Sequence, residues 1–269
     1  MSGHPAPRPA APFSLKDRPN LVRGMAVLVF LLLWEFFGRG VNPLFMSYPS
    51  AIAKAAWIIS ADGTLGKAFL ESLLPFLIGM GISIVAGITW GVLMARIWLF
   101  EYATDPYVNA LYAIPRVAIV PIITLAAGLQ LGGKVTILVS IAIFPIIVNT
   151  YAGIKDVRGR FLEIGKAFGA TEQQIFFKIA LPAAVPFIMA GIRLAVGLGI
   201  IGMIVAELFT AASGLGGLII RFANAFATDR LFVPILLTAV MGVVITEMVQ
   251  FVERRVSKWR VLERERSTN

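Results

Sequence analysis

Six stretches of this chain are apolar over lengths that suit hydrocarbon, near residues 21–37, 68–95, 106–127, 134–152, 183–210 and 231–252. Crossing a bilayer core takes about 20 mostly apolar residues in a helix. The first run, 25–37, is short, so its helix is expected to begin near Leu21. Lipid offers no water to backbone N–H and C=O groups, so each run must close its own hydrogen bonds as a helix. The expected fold is therefore all-α: a polytopic membrane helical bundle of about six transmembrane helices. A balance of 58% hydrophobic to 14% charged residues is not that of a soluble domain.

The formal charge of +9 does not indicate nucleic acid, because the cations lie in loops beside the spans, where they set orientation. With the N-terminus inside, 16 Lys and Arg fall on the cytoplasmic side and 6 on the other, while Arg116 and Arg193 stay within spans. That asymmetry puts both termini in the cytoplasm. Residues 1–20 hold five prolines and no apolar period, which reads as a disordered cytoplasmic tail. No small-residue cleavage site follows the first run, so it is not read as a signal peptide. Between the first two spans, Ile52, Ala55, Ala56 and Ile59 fall at helical spacing and predict a surface helix. Gly87 and Gly91 form a GxxxG that permits close helix approach. Pro115, Pro121 and Pro145 predict kinks in the third and fourth spans.

One stretch between spans is too polar for lipid. Residues 163–182 read EIGKAFGATEQQIFFKIALP, with apolar residues at steps of three or four between charged and amide side chains. That period predicts two short amphipathic helices. Gly169 suits the end of the first, where a residue at positive φ is wanted. Thr171 with Gln174 makes a capping-box start for the second. Pro182 is expected to separate it from the following span. The charge count places this hairpin in the cytoplasm. A helix lying on lipid headgroups would share the amphipathicity but needs neither the internal Gly nor the Leu-Pro stop.

Glu163, Gly169, nine intervening residues and then Ile179, Ala180, Leu181 and Pro182 resemble the EAA loop of the membrane subunits of bacterial ABC importers. The family's Glu is usually followed by two Ala, where this chain has Ile164 and Gly165. The likeness extends over about residues 65–260 and is to the nitrate/sulfonate/taurine type of permease. It is carried by Asp105-Pro106, Ile114-Pro115, the run from Phe144 to Gly153, and Ser213-Gly214-Leu215-Gly216. The resemblance implies the type I ABC importer permease (MetI-like) fold, with residues 21–260 as the transmembrane permease domain, coupling helices at 158–182 and a cytoplasmic tail at 261–269. It further implies a bacterial inner-membrane assembly with a second permease copy, two cytoplasmic ABC ATPases and an extracytoplasmic solute-binding protein. Glu163, Gly169, Ala170, Leu181 and Pro182 would then belong to the coupling segment, with Phe168, Ile175 and Ile179 as apolar anchors in an ATPase groove.

No catalytic apparatus is visible. Residues 128–134 look like a phosphate loop, but Val135 stands where Ser or Thr would hold magnesium, and no strand precedes it; a turn between spans is expected. The chain itself is expected to bind no cofactor, with ATP and magnesium in the partner ATPase. Ionisable groups at membrane depth are candidate pathway residues. Arg116, Arg193 and Glu207 fill that place here, the arginines as attractors of a small anion such as nitrate, a sulfonate, taurine or a carboxylate, and Glu207 with the alternative of simply pairing with polar neighbours. Near the cytoplasmic interface Arg193 has the alternative of snorkelling. Ser213, Gly214 and Gly216 belong to an expected flexible outer loop that meets the binding protein, covers the pore or simply turns. The alternative class is an ion-coupled carrier or a channel, which would want carboxylates or broken helices meeting at mid-membrane. Glu71, Glu207 and Glu247 lie toward span ends instead.

Overall fold

The computed structural model of the protein describes residues 19–210 and 213–256. The tail at 261–269, and all but the last two residues of the one at 1–20, lie outside that range. Helices follow one another as α1 (Pro19–Arg39), α2 (Pro49–Ala61), α3 (Thr64–Arg96), α4 (Trp98–Ala113), α5 (Arg116–Ala127), α6 (Leu131–Ala167), α7 (Glu172–Ile175), a π turn (Phe176–Ala180), α8 (Leu181–Phe209), α9 (Gly214–Asn224) and α10 (Thr228–Val256). Among the described residues five helices are long and apolar enough to cross a membrane, or six if α4 and α5 count as one bent span. The expected surface helix is α2, whose Ile52, Ala55 and Ile59 are buried. Where α3 begins at Gly63, which has no side chain to offer, Asp62 accepts the Thr64 N–H at 2.8 Å. That bond holds the Asp62 carboxyl below its ordinary range.

The centre of the bundle is α3, α6 and α8, joined by Phe76, Met80, Leu138, Ala142, Ile146, Ile192 and Met203. Lipid tails are as apolar as leucine, so helices in a bilayer associate by close packing rather than by escape from water. Small residues make that approach possible. A Cβ at Gly79, Gly87 or Gly91 would stand within 3 Å of Leu138, Ile146 or Thr150 respectively. Each pair is separated by the same 59 positions, so α3 and α6 run parallel. Gly153 against Phe187 and Gly191 against Asn149 pair in the opposite sense, so α8 runs antiparallel to α6. Parallel α3 and α6 require the segment between them to return the chain across the bundle, which is the work of α4 and α5 together.

That return is where expectation and structure part. In place of one kinked span at 106–127, α4 and α5 are separate helices at 104°. Ile114 is extended (φ −66°, ψ 134°), as the residue before a proline prefers, and Pro115 caps α5. Pro121 and Pro145 sit inside unbroken helices. Pro182 does not separate the hairpin from the following span: it lies in the first turn of α8, continuous with the π turn. The π turn just before it widens the helix where Pro182 has no N–H to give.

The close approach sets a first prediction. Gly91→Val drives a side chain into Thr150 and the Ile147 carbonyl at 2.7–2.8 Å, an overpacking expected to cost about 1–3 kcal/mol. Gly81→Ala, which meets nothing within 4 Å, is the control. Thermal unfolding in detergent should separate the two, and equal midpoints would remove this account of the α3–α6 contact.

Candidate functional site

The hairpin is the tip of two long helices rather than an added motif. Its first arm is the end of α6. Ala170 donates to the Gly165 carbonyl and Gly169 to that of Lys166, both at 2.9 Å, with Gly169 at φ 75°. These two bonds form the Schellman closure that a left-handed glycine allows. The second arm opens with the expected capping box: Thr171 Oγ1 accepts the Gln174 N–H at 3.3 Å, and Gln174 Oε1 accepts the Thr171 N–H at 2.9 Å. Lys166 and Glu172 meet across the tip at 3.8 Å; such an exposed pair contributes little.

The apolar residues divide differently from the expectation. Ile175 is 1% exposed and cannot anchor a partner. It lies against Gly165, where a Cβ would stand 2.6 Å from Ile175 Cδ1. Gly165 in place of the family's alanine therefore matches the isoleucine packed on it. Ile179 and Ala170 are half-buried, as is Leu181, which packs toward the bundle. Phe168 is 86% exposed, and Ile164, Glu163 and Pro182 are exposed as well. Ile164, next to Glu163, is not among the expected anchors, because spacing alone favours Ile175 and does not show which of the two the fold leaves open.

None of the three ionisable residues expected to line a pathway is free. Arg116 stands at the start of α5, half-buried. Its Nη1 donates to the Ile141 carbonyl at 2.9 Å and its Nη2 to that of Tyr112 at 3.1 Å, with Tyr112 and Phe144 rings each 5.0 Å away. Ile141 is four residues before Pro145, which has no N–H to give it. Arg116 thus serves the carbonyl that Pro145 leaves open and the last turn of α4 at once. Arg193 pairs with Glu253 of α10, a bond between the cytoplasm-facing ends expected from the charge count.

Glu207 is fully buried on α8. Its Oε1 accepts the Ser72 hydroxyl at 2.6 Å and its Oε2 the Gly216 N–H at 2.8 Å. The segment Ser213–Gly216 is accordingly no flexible loop: Ser213 is the N-cap of α9, and Gly214 and Gly216 are buried in its first turn. Leu215 N–H donates to Ser72 Oγ at 2.8 Å and Gly214 N–H to Glu71 at 3.0 Å. The phosphate-loop lookalike is a turn into α6, with Gly128 at φ 81° and Lys134 donating to Ser213 Oγ at 2.5 Å. Ser72, Glu71 and Lys134 are not legible in the sequence as members of this clasp, because they are distant from it along the chain and polar groups near span ends are common.

The Arg116 bridge carries a second prediction. Arg116→Met leaves two carbonyls without their donor, and each is expected to cost about 1–3 kcal/mol. Pro145→Ala supplies a backbone N–H to Ile141, so the loss from Arg116→Met should shrink in that background. A double-mutant cycle on melting in detergent measures the difference, and strict additivity would sever the link.

Residues 83–258 match the family described as binding-protein-dependent transport system inner membrane component. The formylaminopyrimidine transport permease protein ThiX of Halalkalibacterium halodurans is 31% identical over 234 residues, 87% of this chain and 93% of that protein. A Bacillus subtilis protein named as a putative aliphatic sulfonates transport permease, SsuC, is 32% identical over 91% of this chain and 90% of its own length. The nitrate import permease protein NrtB of a Synechocystis strain is 26% identical over 91% and 92%. In fold, a chain of the MetNI methionine ABC transporter, solved in inward facing conformations, superposes with a TM-score of 0.55 at 22% identity, covering 70% of this chain and 92% of that one.

Proposed function

The chain belongs to the family of binding-protein-dependent transport system inner membrane components, and from that premise we propose how this permease subunit is driven and what it carries. The hairpin between α6 and α8 is the surface on which a cytoplasmic ABC ATPase acts, with Phe168 and Ile164 as its apolar contacts and Glu163 beside them. The observation that carries this reading is Phe168, a large aromatic 86% exposed at a tip fixed by a Schellman closure and a capping box. An aromatic so exposed and so firmly held suits a partner's pocket. Hydrolysis of magnesium-bound ATP belongs to two such ATPases, while this chain and a second permease copy form the passage. A solute-binding protein delivers the solute on the opposite face. Both termini lie in the cytoplasm, on the hairpin's side.

The solute is a small molecule, an anion such as nitrate, a sulfonate, taurine or a carboxylate. The relatives named for nitrate and for aliphatic sulfonates support an anion, while the one named for formylaminopyrimidine is named for a neutral solute. Arg116 and Arg193 are both committed to bonds within the chain, which supports a pathway of low selectivity and leaves discrimination to the binding protein. Purified from cells with an affinity tag, the chain should carry an ABC ATPase with it. Phe168→Asp should strip that ATPase away while the bundle melts as before. An untouched assembly free of any nucleotide hydrolase would end this reading.

A further inference from the structure

Below the tip, the second arm of the hairpin meets the end of α3 through a contact that the ATPase-facing surface does not use. Phe176–Ala180 form a π turn, a rare local widening that recurs at functional positions in helices. Within it the rings of Phe176 and Phe177 stand edge to face at 5.1 Å. Both meet one cation: the Arg96 guanidinium lies 5.2 Å from the first ring and 5.1 Å from the second. Arg96 is the last residue of α3, and a single extended residue, Ile97 (φ −111°, ψ 106°), separates it from α4. That one-residue elbow leads into the helix that ends at the 104° break. The start of α4 is tied to α6 as well, because Glu101 accepts the Tyr151 hydroxyl at 2.6 Å and Lys155 Nζ at 2.5 Å.

We infer that Arg96, gripped by Phe176 and Phe177, is the positioning residue that carries movement of the hairpin to the α3–α4 elbow and so to the bent α4–α5 pair. This rests on the hairpin being the surface an ATPase moves. The physical basis is that a guanidinium held on two ring faces resists displacement yet forms no covalent or buried ionic bond, so it can follow a moving aromatic pair. The rest of the α3–α6 contact is close-packed along the glycine stripe and has little freedom to absorb that motion. The elbow at Ile97 is the nearest point where the chain can bend.

The test uses the complete assembly in proteoliposomes, reading ATPase content, ATP hydrolysis and solute uptake together. Arg96→Ala and Phe177→Leu should each keep the ATPase bound and hydrolysing, while uptake per ATP falls about two- to fivefold, the scale of one lost cation–π contact at an exposed site. Phe177→Tyr, which keeps the ring face, should hold uptake near the original value, and Arg96→Lys should recover part of it. Phe177 is 53% exposed, so leucine opens little cavity there. Leucine and tyrosine variants that melt alike in detergent yet differ in uptake per ATP separate loss of the ring face from loss of packing. Unchanged uptake per ATP in Arg96→Ala and Phe177→Leu would overturn the inference. So would loss of the ATPase from those variants, because Arg96 would then be holding the docking surface itself. An original assembly without any ATPase is a different failure, visible before any variant is made, and removes the reading of the hairpin beneath it.

Discussion

Replacing Glu207 with leucine is expected to destabilise the protein by about 2–6 kcal/mol, because two buried donors lose their acceptor at about 1–3 kcal/mol each. The reason is an accounting of the start of α9. A helix cannot satisfy its first four N–H groups itself. Here Gly214 N–H goes to Glu71, Leu215 N–H to Ser72 and Gly216 N–H to Glu207, before Gly217 N–H makes the helix's own first bond, to the Ser213 carbonyl at 3.3 Å. All three outside partners come from α3 and α8, not from the N-cap residue, whose hydroxyl is taken by Lys134. The two glycines exist to admit the carboxylate: a Cβ at Gly214 would stand 2.2 Å from Glu207 Oε1, and one at Gly216 would stand 2.7 Å from Glu207 Cβ.

Leucine at 207 leaves the Gly216 N–H and the Ser72 hydroxyl facing apolar atoms, where a polar group without a partner is costly. Glu207→Gln keeps the shape and one acceptor, so it should lose about half as much. Because α9 packs through Leu215, Leu218 and Phe222 onto α2 and α10, the damage should spread across that end of the bundle. Hydrogen exchange at the amides of residues 214–216 should quicken most, with the hairpin end unaffected. A Glu207→Leu protein that melts with the original midpoint would show that the clasp contributes nothing.

What can be read in advance follows from what each signal measures. The hairpin tip is legible to the residue, since Gly169 and the Thr171–Gln174 pair act on their own backbone within four positions. Gly87 and Gly91 announce a close contact but not its partner, because periodicity says which face packs and not on what. The fate of the prolines is hidden for the same reason. At Pro145, Arg116, 29 positions earlier, takes the carbonyl the proline abandons, and the helix continues; at Pro115 the preceding Ile114 takes the extended backbone that a proline favours before it, and the helix stops. Glu207 reads as a pathway candidate or as a group paired with polar neighbours, and the fold gives it the second role, at the start of another helix. Ile175 illustrates the limit in miniature: its spacing marks an apolar face, and only the fold shows that the face closes on Gly165.

Gly169→Val should abolish most uptake while leaving the bundle nearly as stable as before. Gly169 sits at φ 75°, and a Cβ added there would meet nothing within 4 Å, so valine finds no steric obstacle from neighbours. Its penalty is conformational: a β-branched residue in the left-handed region costs about 1–2 kcal/mol. That is enough to lower the population of the closed tip about 5- to 30-fold where the tip is marginal. The chain escapes by fraying the last turn of α6, which releases the bonds from Ala170 and Gly169 and swings Phe168 and Glu163 away from α7. Since the core contacts of α3, α6 and α8 lie beyond that turn, melting of the whole should barely shift. Gly169→Asn separates backbone strain from any other cause, because asparagine tolerates the left-handed region and should retain most uptake. Full uptake by Gly169→Val in proteoliposomes would mean that the tip's shape is irrelevant to coupling. Loss in Asn and Val alike would point to the absence of a side chain, not the sign of φ, as what the partner reads.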